Sequence, residues 1–348
     1  MFFASDNTGP VHAEILAALS AANAGFSPSY GEDAMMTEVR NRVRDLFEAP
    51  MASVYLVATG TAANALALAT LSQPWQTIFC TPLAHIHTDE CNAPEFFTGG
   101  AKLSLVGGGD KMTPADLAAA IHSWTLGDVH VSQRGPLALT QVTEMGHVYT
   151  LDELATLTAI AADHDLPAYL DGARFANAVA TLGCTPAEMT WKAGIDAVSM
   201  GGTKNGCLGV EAVIFFNPEN AWEFELRRKR SAHLFSKHRY LSAQMLAYLT
   251  DDLWLRSAQS ANANAAHLAN GLRAMPGAQF LNDPQANMIF ATLPRATHQR
   301  LHAAGAVYGL SGGPLDSGDA DEPLACRLVC DWSISRDQID RFVEIATT

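Results

Sequence analysis

SVYLVATGTAANALALATL, residues 53–71, is the segment from which the architecture follows. After Ser53 the residues to 58 are apolar without alternation, which marks a strand buried on both faces. Residues 61–71 are dominated by Ala and Leu and contain no Gly or Pro, which marks a helix. Thr59 and Gly60 form the turn between them. The same rhythm recurs along the chain. Short strands are expected at 77–80, 101–106, 135–141, 168–170, 196–200 and 210–216. Helices fall between them: one opens at Thr113-Pro114, with proline in its favoured first turn. Another opens on the capping box Thr150…Glu153 and runs to about residue 163. Apolar strands alternating with helices predict an α/β fold with a mainly parallel sheet covered on both faces. Ligands of such sheets sit at the carboxyl ends of the strands.

Beyond residue 220 the texture changes. A helix is expected at 222–229, then an unusually basic stretch at 227–239 and one long helical run from 241 to about 275. From 278 onward short strands and helices alternate. They include an acidic, Gly-rich loop at 311–322 and a last helix capped by Ser335 with Gln338 three residues on. This divides the chain into a large domain, 1–246, and a smaller C-terminal α/β domain, 247–348, with a boundary soft by ten residues. A chain of 348 residues is long enough for both.

Composition narrows the function. With 48% hydrophobic and 17% charged residues the chain is neither disordered nor a coiled coil. Asp and Glu outnumber Lys and Arg by 36 to 22, and a net charge of -14 repels phosphate backbones and anionic membranes. Neither nucleic acid nor membrane is an expected partner. The opening MFFASDNTGP lacks the basic and apolar regions of a secretory signal, and no apolar run approaches the ~18 residues of a membrane span. Six cysteines without a C-x-x-C pair fit reduced thiols in the cytoplasm and give no expectation of a metal site.

Three turns carry chemistry. TGTAAN, 59–64, opens a helix whose first N–H groups have no internal partner, and Gly60 and Thr61 there form a cradle for a phosphate; an ordinary capped turn looks the same. DGAR, 171–174, follows a strand, so Asp171 can hold a protonated ring nitrogen and Arg174 can grip a carboxylate; a surface Asp–Arg pair is the plainer account. SMGGTKNG, 199–206, holds Lys204, one of only six lysines and the only one in a Gly-rich turn between apolar strands. Desolvation in a cleft lowers an amine's pKa and makes it a nucleophile fit to form a Schiff base; a solvated turn lysine is the alternative. Together, phosphate cradle, acid and lysine are the parts that hold pyridoxal 5'-phosphate.

The chain resembles the low-specificity threonine aldolases, most closely the phenylserine aldolase type, among pyridoxal-phosphate enzymes of the aspartate-aminotransferase-like fold (fold type I). The resemblance runs nearly end to end. It is carried by SDN at 5–7, YGED at 30–33, TGTAAN at 59–64, AHIHTDE at 84–90, LDGARFANA at 170–178, TPAEMTWKAG at 185–194, GGTKNG at 201–206 and RLVCDWSISRDQ at 327–338, with RRKR and SKHR between the last two. By position it implies that Lys204 bonds the cofactor, Asp171 partners the ring nitrogen, and Gly60 and Thr61 bind the phosphate. His85 stacks on the ring, and Ser5, Arg174 and Arg327 hold the substrate carboxylate. Arg239 reaches the phosphate of a neighbouring subunit, and Tyr30 lies near the active site. The sequence departs from the pattern once: the E-N-T-H-N-G stretch of many threonine aldolases aligns with QVTEMG, 141–146, where Glu144 replaces a histidine. His87 forms an H-x-H with His85 but has no third ligand in view, so a hydrogen-bonding or solvated role is expected.

The resemblance implies retro-aldol cleavage of L-β-hydroxy-α-amino acids, such as L-threonine, L-allo-threonine or L-phenylserine, to glycine and an aldehyde. The base for the β-hydroxyl is His85 or a water it holds, with Glu144 second. A homotetramer or homodimer with shared active sites is implied. Two alternatives are a β-eliminating lyase on the same fold and a non-catalytic cofactor-binding protein.

Overall fold

The computed structural model describes residues 1–348. Seven strands form the larger sheet: β1 (Ser53–Val57), β2 (Gln76–Cys80), β3 (Lys102–Leu105), β4 (Gln133–Thr140), β5 (Ala168–Asp171), β6 (Ala197–Gly201) and β7 (Glu211–Phe215). Their order is β1-β7-β6-β5-β4-β2-β3. The pairs from β3 across to β6 are parallel; β7 runs antiparallel to both β6 and β1. β4 starts two residues earlier than the apolar pattern indicates, because Gln133 and Arg134 still pair with Gln76 and Thr77. The helix Gly60–Leu71 has no polar face, and residues 62–70 are all buried against the sheet. That is what an Ala/Leu helix without amphipathicity must do.

A second, antiparallel sheet has the order β10-β11-β9-β8, with β8 (Gln279–Phe280), β9 (Met288–Pro294), β10 (Gly309–Ser311) and β11 (Pro323–Val329). Phe3 joins it: its N–H donates to the Val307 carbonyl and its carbonyl accepts from Val329 N–H, both at 2.8 Å. The first residues of the chain are thereby tied to the last third.

The single helix expected over 241–275 is two, Arg239–Leu249 and Leu253–Arg273. Asp251 and Asp252 both adopt left-handed backbone, at φ 51° and 54°. Asp tolerates that conformation better than most residues, and the apolar pattern on either side gives no sign of the break. Positions 246 and 247 lie inside the first of these helices. The second helix packs on both Phe175–Leu182 and Arg336–Thr347, so it spans the two units. The capping boxes at Thr150 and Ser335 form as read.

Two turns at the carboxyl ends of β5 and β6 meet backbone to backbone. Gly201 N–H donates to the Gly172 carbonyl at 3.0 Å, and Gly172 N–H donates to the Ser199 hydroxyl at 3.0 Å. A β-carbon on Gly172 would overlap the Ser199 carbonyl oxygen, and one on Gly201 the Ala173 carbonyl oxygen. Overpacking at such a contact costs about 1–3 kcal/mol. Gly172→Ala is expected to lower the unfolding free energy by that amount, seen as a lower denaturant midpoint at an unchanged m-value by circular dichroism.

Candidate active site

The two turns and the start of Gly60–Leu71 enclose a cavity of about 280 Å³. Of the residues singled out in the sequence, Gly60, Thr61, His85, Glu144, Asp171, Arg174 and Lys204 line it. At one end, Thr59 caps the helix by accepting from Ala62 N–H at 3.2 Å. The N–H groups of Gly60 and Thr61 have no partner in the chain, and no atom lies within 4 Å of where a Gly60 side chain would stand. Open space before free N–H groups at a positive helix end is an anion cradle.

Lys204 makes no hydrogen bond or ion pair inside the chain. Burial, then the charge of Arg174, holds its amine below the ordinary lysine value, against the pull of Asp6, Asp171 and Glu211. The turn that carries it, Gly202–Thr203, is fastened by Glu211. That carboxyl accepts from Gly202 N–H at 3.0 Å and from the Thr203 hydroxyl at 2.5 Å. Burial pushes Glu211 up to about 7.

Asp171 ends β5. Its Oδ1 accepts from Ala173 N–H at 3.0 Å and its Oδ2 from the Asn64 amide at 2.8 Å. The same Asn64 nitrogen donates to Glu90 Oε1 at 2.7 Å, and Asn64 Oδ1 accepts from the Tyr169 hydroxyl at 2.7 Å. Glu90 Oε1 also meets His85 Nδ1 at 2.7 Å. This contact, ahead of an opposing burial effect, raises the His85 pKa. Glu144 Oε1 accepts from His85 N–H at 2.8 Å, while its Oε2 is buried without a partner. Desolvation pushes that carboxyl up to about 7.

Arg174 is already engaged: Nε and Nη2 donate to the buried Asp6 carboxylate at 2.6 and 3.1 Å. Burial alone would raise the Asp6 pKa, but Arg174 and then Lys204 outweigh it and hold it below the ordinary value. Three N–H groups of the guanidinium remain for another carboxylate.

The other expected residues do not line the cavity within one chain. Ser5 turns its hydroxyl to Asn7 N–H at 3.1 Å, and it is Asn7 that faces the cavity. Arg327 is exposed on β11 and donates to the Ala4 carbonyl at 3.0 Å, which keeps it beside the segment holding Asp6 and Asn7. Tyr30, at φ 59°, is exposed under the Lys229 ammonium. Arg239 donates to the Gly25 carbonyl at 2.9 Å on a different face. His87 is exposed to solvent.

Asp6, Asn64, Glu90 and Glu211 were not assigned from sequence. Three of them lie inside SDN, TGTAAN and AHIHTDE, next to residues that were. Glu211 had its own signal: an acid opening a strand, EAVIF, that is otherwise wholly apolar must find buried partners.

These residues fit pyridoxal phosphate: an anion cradle, a pinned carboxylate for a ring nitrogen and an unpaired amine converge on one cavity. Fold and site together define a pyridoxal-phosphate-dependent lyase of fold type I. Residues 3–294 match the beta-eliminating lyase family. The chain is 40% identical to the low-specificity L-threonine aldolase of Pseudomonas aeruginosa, over 99% of this chain and 95% of that one. The Leishmania major threonine aldolase structure superposes with a TM-score of 0.91 at 27% identity, covering 99% of this chain and 98% of the other. Sphingomonas wittichii serine palmitoyltransferase shares the fold at a TM-score of 0.73 and 16% identity, over 100% of this chain and 86% of that one. The chain belongs to the beta-eliminating lyase family, on the branch of the low-specificity L-threonine aldolases.

Lys204→Ala is expected to abolish the visible absorption of lysine-bound cofactor and nearly all turnover. A reduced cofactor label recovered on a different peptide after borohydride treatment of the wild-type chain would move the attachment elsewhere.

Proposed function

We propose that the chain cleaves L-β-hydroxy-α-amino acids, among them L-threonine, L-allo-threonine and L-phenylserine, to glycine and an aldehyde. The observation that carries this reading is the convergence of Lys204, Asp171, Arg174 and Glu144 on one cavity. Pyridoxal phosphate, when bound, supplies the electron sink for the pair released as the carbon–carbon bond breaks. The chain does the rest. Lys204 holds the cofactor and yields it to the substrate amine. Asp171, pinned by Asn64 and Ala173, keeps a ring nitrogen protonated. The free N–H groups of Arg174 orient the substrate carboxylate; Arg327, held beside Ala4, approaches from the N-terminal segment, while Ser5 and Tyr30 have no place in the cavity of a single chain. Orientation at Cα selects which bond breaks.

Glu144 takes the proton of the β-hydroxyl in this reading. Its Oε2 has no other partner, and a pKa near the working pH suits a general base. His85 is less suited, because Glu90 occupies Nδ1 and keeps the ring protonated to higher pH. It serves as the stacking partner.

Beyond one subunit, we propose a homodimer or homotetramer with shared active sites. The exposed side chains of Leu16 and Phe26 and the position of Arg239 away from its own cavity support it. Two separate sheets support a large and a small domain, with the change of unit falling after the helix that holds 246 and 247. Six unpaired cysteines support a cytoplasmic setting, and no helix is long and apolar enough to cross a membrane.

Incubation of the holoenzyme with each substrate should release glycine and aldehyde in equal amounts; oxo acid and ammonia in their place would favour β-elimination. A base must be ionised to act, so kcat should rise with pH through about 7, the value to which burial takes Glu144. Glu144→Gln should lower kcat by about 100-fold or more and flatten that limb. Burial also pushes Glu211 up to about 7, so the limb surviving in Glu211→Gln, but not in Glu144→Gln, assigns it.

A further inference from the structure

Glu144 stands on a tight turn, 143–147, outside regular structure. The turn closes on itself. Thr143 N–H donates to the His147 carbonyl, and Gly146 N–H to the Thr143 carbonyl, both at 2.9 Å. His147 N–H donates to the Thr143 hydroxyl, also at 2.9 Å. Gly146 makes the reversal possible with φ at 82°. Asp110, on the loop after β3, then fastens both ends with a single atom. Its Oδ2 accepts from the Thr143 hydroxyl at 2.5 Å and meets His147 Nδ1 at 2.7 Å. The Asp110 side chain is only 12% exposed, and none of Asp110, Thr143 and His147 lines the cavity. The C-terminal unit adds a third tie, the Asn282 amide donating to the Met145 carbonyl at 2.6 Å.

We infer that Asp110 is a positioning residue for Glu144: by joining Thr143 to His147 it fixes where the Glu144 carboxyl stands over the substrate's β-hydroxyl. The inference rests on Glu144 being the base. A base on a loop has no helix or strand to hold its backbone, and a misplacement of about 1 Å can cost on the order of 100-fold in rate. The charge of Asp110 is spent on the loop, not on the substrate.

The test uses the holoenzyme. Asp110→Ala should lower kcat for L-threonine cleavage by about tenfold to a hundredfold, with KM and the visible absorption of bound cofactor unchanged. Exchange of the α-proton of glycine in D2O, followed by NMR, should keep its wild-type rate, because glycine has no β-hydroxyl for Glu144 to deprotonate. Asp110→Asn keeps an oxygen acceptor for Thr143 and should recover part of kcat. Asp110→Ala combined with Glu144→Gln should be no slower than Glu144→Gln alone, since a positioning residue has nothing left to position. Multiplying losses in the double variant, or glycine exchange falling in step with cleavage, would overturn the inference. Wild-type kcat in Asp110→Ala while Glu144→Gln is slow removes this inference only. Wild-type kcat in Glu144→Gln removes the base assignment and this inference with it. Should Asp110→Ala fail to fold, Thr143→Val cuts the same tie and must show the same split between cleavage and exchange.

Discussion

Gly201 N–H meets the Gly172 carbonyl at 3.0 Å, and two chemically distinct turns are thereby held in one place. One ends β5 and carries Asp171 and Arg174; the other ends β6 and carries Lys204. Parallel neighbouring strands deliver both turns to the same edge of the sheet, but side chains at either glycine would force them apart. Tyr248 reaches over from the helix Arg239–Leu249 and donates to the Gly201 carbonyl at 3.1 Å, which fastens the β6 end of the junction. Three groups of the site are arranged around this contact: an amine on one turn, a carboxylate and a guanidinium on the other.

Several charges crowd that space, and their order matters. Burial and then repulsion from Arg174 lower the Lys204 pKa, which favours a neutral, nucleophilic amine. Asp6 sits behind Arg174 and neutralises part of it, so the guanidinium keeps a fixed orientation without being consumed. The carboxyls nearest the reaction are then sorted by their partners. Asp171 accepts from both Ala173 N–H and the Asn64 amide. Glu144 has one N–H donor and one bare oxygen, and its burial raises its proton affinity. Burial raises both Glu144 and Glu211, but only Glu144 leaves an oxygen without a partner, so of the two it is the one free to act.

Much of this was legible in the sequence, for reasons that can be stated. Uninterrupted apolar strands, glycines in turns and capping pairs act locally, so the sheet, the cradle at Gly60 and Thr61 and the places of Asp171 and Lys204 could be read from neighbouring residues. The unread parts are non-local. Asp6 lies 168 positions from the Arg174 it holds, and Asn64 lies 107 from Asp171. No periodicity encodes such pairs. The break at Asp251 and Asp252 escaped for the opposite reason: it is local, but apolar residues flank it on both sides in helical register. Arg239, Tyr30 and Arg327 were read from resemblance alone, and a single chain leaves all three outside the cavity.

The position of Asp6 has a consequence for how substrate enters. Its segment is tied to the antiparallel sheet through Phe3, and its carboxylate accepts from Asn287, beside β9, at 3.2 Å. Arg174 belongs to the parallel sheet. The Asp6–Arg174 pair therefore joins the two units beside the cavity, with Arg327 attached to the same N-terminal segment through Ala4. A substrate carboxylate drawn to the free N–H groups of Arg174 arrives where both units already meet. Its charge is offset by a guanidinium whose other side is bound, so closing on it needs no reorientation of Arg174. Preorganised donors of this kind lower the cost of binding because the protein has ordered them in advance. Buried ion pairs add little to stability on balance, and the reason to keep this one lies in what it holds ready.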